Sequence, residues 1–143
     1  MLFKRVSRAQ AETVFIVAKN VSGSTLTAGY TCVFDVGASV DGVRVTQASA
    51  ADLNAYAGVA DSSLADGAYG LVQVYGYRSS AYVKTSAGAN DSGSPLKPVA
   101  GAWASEVFAP TATAKAFGFL CEALSASSSS QYLTTAKVFI RAL

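Results

Sequence analysis

The residue types that most often carry out chemistry in proteins are scarce in this chain. It contains no histidine, which excludes Ser-His-Asp and Cys-His catalysis and histidine-containing zinc sites. Its nine acidic residues are scattered, without the spacing of a calcium loop or the close carboxylate pair of a glycoside hydrolase. We therefore predict no catalytic, cofactor-binding or metal-binding residues and no enzymatic activity. A metal held at a subunit interface is the alternative left open.

The two cysteines, Cys32 and Cys121, lie far apart in apolar runs. Two thiols are too few for a cysteine-only zinc site. Apolar surroundings favour buried free thiols, and a disulfide stays open if the two strands are neighbours.

A glycine-rich segment, residues 88–94 (GANDSGS), has the GxxxxG spacing of a phosphate-binding loop. Ser94 stands where the lysine of such a loop belongs, and Pro95 removes a backbone amide where its helix should begin. Gly67 and Gly70 fail the dinucleotide fingerprint because a strand pattern follows them. We interpret residues 86–95 as a polar loop.

The sequence patterns predict that the elements positioning any functional residue are β-strands. In residues 68–80 (AYGLVQVYGYRSS), the run up to the break at Ser79-Ser80 leaves only Gln73 and Arg78 clearly polar. This pattern predicts a central strand buried on most of both faces. Similar patterns predict strands at 13–19, 30–36, 43–46, 56–60, 81–85, 117–124 and 137–143, and an edge segment at 96–103.

About eight or nine short strands without sustained helical periodicity predict an all-β fold. We expect a single compact β-sandwich or small β-barrel over residues 13–143, preceded by an extended basic N-terminal arm over residues 1–12. A tight hairpin turn is expected at Asp41-Gly42, and a helical turn capped by Ser49 is expected over residues 49–55. No internal repeat is evident.

Charge is low and unevenly distributed. Charged residues make up 14% of the chain and hydrophobic residues 51%, against about 25% charged in an average soluble protein. This balance favours an oligomer or a lattice component whose surface is covered by neighbours. Lys4, Arg5 and Arg8 precede the first acidic residue. They form either a solvated terminus or an arm that docks on an acidic partner.

Several partner and compartment classes are disfavoured. Three basic residues without a basic stripe interleaved with aromatics predict no specific nucleic-acid binding. The sequence has no run of about 18 apolar residues and no secretory leader pattern, so we predict no membrane association and intracellular synthesis.

Five motifs carry a resemblance to a known family. They are AKNVSG (18–23), TAGY (27–30), DGVRVT (41–46), AYAGVAD (55–61) and GAYGLVQVYGY (67–77). In this order they resemble the capsid decoration, or cement, proteins of tailed bacteriophages. The resemblance covers residues 14–99, about two thirds of the chain, and none of its motifs is catalytic.

The resemblance implies a structural virion protein, made in the host cytoplasm, that binds the outer surface of the head. Its implied partners are the major capsid protein, whose subunits it would bridge, and further copies of itself, most simply as a trimer. Lys4, Arg5 and Arg8 are then the candidate capsid-binding residues.

Two alternatives follow from the same residues. The first is an adhesion or carbohydrate-binding module that stacks sugars on exposed aromatic rings, for which the candidates are Tyr56, Tyr69, Tyr75, Tyr77, Tyr82 and Trp103. The second is a hydrolase with an unfamiliar carboxylate site. Other virion roles, such as a tail or neck component, also stay open.

Overall fold

The computed structural model describes residues 12–37, 43–85, 90–108, 115–125 and 133–142. These residues form nine strands and, within the described ranges, no helix that could cross a membrane. The strands are β1 Thr13–Asn20, β2 Thr31–Phe34, β3 Arg44–Thr46, β4 Tyr56–Ala60, β5 Tyr69–Lys84, β6 Pro95–Pro98, β7 Ser105–Val107, β8 Gly118–Leu120 and β9 Leu133–Arg141.

The longest strand, β5, joins the predicted central strand and the shorter strand expected after it. The break at Ser79-Ser80 is a bulge, because the register against β9 shifts between Arg78 and Ala81. The Arg78 guanidinium donates a hydrogen bond to the Ser80 carbonyl at 3.0 Å. The strand therefore bends here without leaving the sheet.

The sheet closes on itself twice, and β5 belongs to both closures. The order β1-β3-β2-β4-β5 returns to β1, where Ile16 lies opposite Val72; these five strands are the first ring. The order β5-β7-β6-β8-β9 returns to β5, where Gly76 lies opposite Ile140; these are the second ring. The all-β prediction is confirmed, and the closed ladders correspond to its barrel alternative.

The two rings have the same connectivity. In each ring, the first and third strands pair in parallel. The other four pairings are antiparallel: third with second, second with fourth, fourth with fifth, and fifth with first. The strand β5 is the fifth strand of the first ring and the first strand of the second. The chain thus repeats one five-stranded topology, although its sequence shows no evident repeat.

The repeat extends to individual residue pairs. In the following list, each cross-strand pair of the first ring is followed by the pair that corresponds to it in the second ring. Lys19–Tyr69 corresponds to Tyr82–Thr135, Ala18–Gly70 to Ala81–Ala136, Cys32–Gly58 to Leu96–Gly118, and Val59–Gln73 to Phe119–Phe139. The isolated bridge Leu26–Leu64 corresponds to the isolated bridge Asn90–Leu124. Paired positions away from the bulges of β1, β2 and β5 can therefore be matched between the two rings. By this alignment, Tyr69 corresponds to Thr135.

Each ring encloses its own hydrophobic core. The first core contains Ala18, Leu26, Cys32, Val45, Ala57, Ala60, Leu64 and Val72. The second contains Tyr56, Val59, Ala81, Val83, Leu96, Val107, Leu120, Ala136, Val138 and Ile140.

The short strand β4 is the wall between the two cores. All five of its residues are buried, with Ala57 and Ala60 in the first core and Tyr56 and Val59 in the second. The strand buried on both faces is therefore β4. The prediction of this pattern for residues 68–80 is wrong, because several side chains of β5 are exposed.

Other local predictions are corrected by the pairing. The segment that contains Pro98 is not an edge, because β6 pairs with β7 on one side and β8 on the other. Over residues 49–55 the chain makes turns, in which the amides of Asp52 and Ala55 donate to the carbonyls of Ser49 and Asp52, and no helix forms. The Asp41-Gly42 turn lies outside the described residues, although β2 and β3 pair antiparallel as a hairpin requires.

Substitution of the counterpart glycines Gly58 and Gly118 tests this packing. A Cβ at Gly58 would lie against the Gln73 carbonyl oxygen, and its φ of +147° adds strain; a Cβ at Gly118 would meet the Phe139 carbonyl oxygen at 2.5 Å, with no such φ. We expect Gly58→Ala to lower the free energy of unfolding by about 3 kcal/mol or more and Gly118→Ala by about 2 kcal/mol in urea denaturation.

Gly67→Ala is the control for backbone strain alone. Gly67 has a φ of +77° but no heavy atom within 4 Å of the position of a Cβ, so its substitution should cost about 1 kcal/mol. Equal losses for the three variants would contradict the close approach of β4 and β8 to their neighbours.

Thiol labelling tests the burial of the two cysteines. Both are free, Cys32 is buried and Cys121 is partly exposed. Burial raises the pKa of Cys32 to about 12; burial and the charge of Glu122 raise the pKa of Cys121. Because the thiolate is the reactive form, we expect the native protein to react through Cys121 alone, faster as pH rises from about 7 to 9.

In the variant Cys121→Ser, no thiol should react with the labelling reagent until the protein is denatured. Rapid labelling of the native variant would show that Cys32 is accessible and that the first core is less closed than described.

Candidate functional site

The predicted capsid-binding residues Lys4, Arg5 and Arg8 lie outside the described residues, so their role stays a prediction. The described chain begins at Glu12, which is exposed and directly precedes β1.

The described carboxylates include three that are paired with single cations. The pairs are Asp61–Arg78 at 3.2 Å, Glu106–Lys97 at 3.2 Å and Glu122–Lys137 at 3.1 Å. Hydrogen bonds from the Lys137 backbone and side chain lower the pKa of Glu122, which is opposite to the raised pKa of a general acid. In the described part of the chain, no three histidine, cysteine or acidic residues are grouped to hold a metal.

The second core offers no room for a substrate. The void inside it measures about 10 Å³, which is about the space of one water. Tyr56 lines this void, and its burial raises the pKa of the phenol above the ordinary range. Interactions with other molecules must therefore be sought on the surface of this ring.

The strands β1 and β5 of the first ring present an exposed apolar surface. Ile16 and Ala18 pack into the first core, so the alternate residues of β1, Phe15 and Val17, face outward. Val17 lies opposite Leu71, and Tyr69 lies one pair further along β5.

We call these four side chains the apolar face. Their exposed fractions are 37% for Phe15, 58% for Val17, 62% for Tyr69 and 43% for Leu71. Because they are cross-strand or diagonal neighbours, they form one contiguous surface on a hydrogen-bonded ladder.

A cation borders the apolar face. Lys19 lies opposite Tyr69 in the ladder, and its ammonium nitrogen is 5.7 Å from the centroid of the Tyr69 ring. A cation at this distance is attracted to the π face of the ring. The interaction holds the largest exposed side chain of the face beside a positive charge.

A row of aromatic rings continues outside the second ring. The rings of Tyr75 and Phe139 meet edge to face at 5.3 Å, and Phe119 stacks on Phe139 at 5.2 Å. The Arg141 guanidinium lies 5.8 Å from the Phe119 ring. These rings are half-buried against one another, so most of their apolar surface is already covered.

A polar cleft of about 300 Å³ lies beside the bulge of β5. Arg78 donates to Asp61 at 3.2 Å and to the Gln73 side-chain oxygen at 3.3 Å. The Gln73 amide nitrogen donates to the carbonyls of Tyr75 and Tyr77 at 3.2 and 3.0 Å. These hydrogen bonds hold Arg78, Gln73 and Asp61 to one another and to the backbone of β5, so they support its bend.

The aromatic residues proposed for sugar binding are not gathered on one exposed surface. Tyr56 is buried, and Trp103 stacks on Tyr30 at 5.8 Å and packs against the first core. Tyr75 and Tyr82 are half-buried, which leaves Tyr69 and Tyr77 as the exposed members of that set of six. The six rings therefore do not form the exposed platform that a carbohydrate-binding module requires.

The apolar face was not identified from the sequence. In the run TVFIVAK both alternating sets of residues are apolar, so periodicity does not distinguish the inward from the outward side. Only the pairing of β1 with β5 shows which set is exposed.

Comparison with known proteins gives a likeness in structure. No protein-family model matches this chain, and no curated protein matches it. Its structure is similar to the crystal structure of the head fiber gp8.5 N base in bacteriophage phi29, with a TM-score of 0.51 and 17% sequence identity. The match covers 92% of this chain and 96% of that chain. At this level of identity the likeness shows a shared fold, and it extends over nearly the whole of both chains.

Proposed function

We propose that this chain is a structural virion protein of a tailed bacteriophage, a capsid decoration or cement protein. In this proposal it binds the outer surface of the assembled head and bridges subunits of the major capsid protein. It acts as a homo-oligomer, most simply a trimer, and has no enzymatic activity.

The observation that carries the proposal is the fold shared with the phi29 head fiber base over 92% of this chain. A fold alone does not determine a function. Here it agrees with an independent indication, the order of sequence motifs that resembles capsid decoration proteins. The two indications point to the same part of the virion.

The chemistry of the described residues supports a binding role. Three of the described carboxylates are engaged in ion pairs, while the apolar face on β1 and β5 is exposed to solvent. Exposed contiguous apolar surface on a protein with few charges is typical of an interaction site.

The mechanism of such a protein is the burial of interface area. A stable contact buries about 800 Å² on each partner. When one oligomer engages several capsid subunits, the second and third contacts form at a high effective concentration, so modest contacts give a strong overall attachment. Bridged subunits must then separate together, which stabilises the shell.

Co-sedimentation with heads tests the proposal. Purified protein is mixed with expanded heads from the source phage that lack it, and unexpanded proheads are the control. We expect saturable binding to expanded heads at a fixed ratio to the major capsid protein. Absence of binding to both particles would contradict the decoration role.

Deletion of residues 1–10 tests the basic arm. Because Lys4, Arg5 and Arg8 are expected to meet carboxylates, the deletion should abolish binding at moderate salt, and binding of the intact protein should weaken as salt rises. A variant with Lys4→Gln, Arg5→Gln and Arg8→Gln keeps the length of the arm and isolates its charge. Undiminished binding of both variants would exclude the arm from the interface.

A further inference from the structure

We draw no further inference here: the strongest candidate, the apolar face that Phe15, Val17, Tyr69 and Leu71 form on β1 and β5, carries nothing, because nothing in the part of the chain that the structure describes shows what covers it.

Discussion

The structure depends on one strand that hydrogen-bonds along both edges. β5 pairs with β1 on one edge and with β4 and then β9 on the other, and near its end it pairs with β7. A five-stranded sheet that closes leaves no open edge, and here both closures need the same strand. The register against β9 shifts between Arg78 and Ala81, and the hydrogen bonds of Arg78 with Gln73 and Asp61 lie beside this bend and support it.

The wall strand β4 explains how a small chain supports two cores. Side chains on both faces of β4 are buried, so Ala57 and Ala60 contribute apolar surface to the first core and Tyr56 and Val59 contribute it to the second. Gly58 is required because its neighbour on β5 approaches too closely for any side chain. Its counterpart Gly118 has the same function beside β9. At these two points β4 lies against β5 and β8 against β9 more closely than a residue with a Cβ would allow.

The sequence predicts the strands better than their arrangement. β4 is predicted with its observed bounds, and β5 is located because its apolar run is long. β7 is missed because three residues with a central glutamate give no pattern, and β6 is assigned to an edge because proline rules consider one strand at a time. The repeat is not detected because few counterpart residues are identical, Gly58 with Gly118 and Leu64 with Leu124 among them. Topology is conserved between the rings by backbone pairing, which tolerates different side chains.

The same reasoning explains why the candidate surface comes from the structure and the arm from the sequence. Clustered charges at a terminus are visible in a list of residues, whereas exposure of Val17 depends on which face of β1 meets the first core. A duplicated framework then supplies an internal comparison that a single ring would lack. Where both rings place apolar residues, as at Val72 and Val138, closure demands them. Where the first ring places Tyr69 and the second Thr135, both side chains are exposed, so closure of a ring accepts either residue.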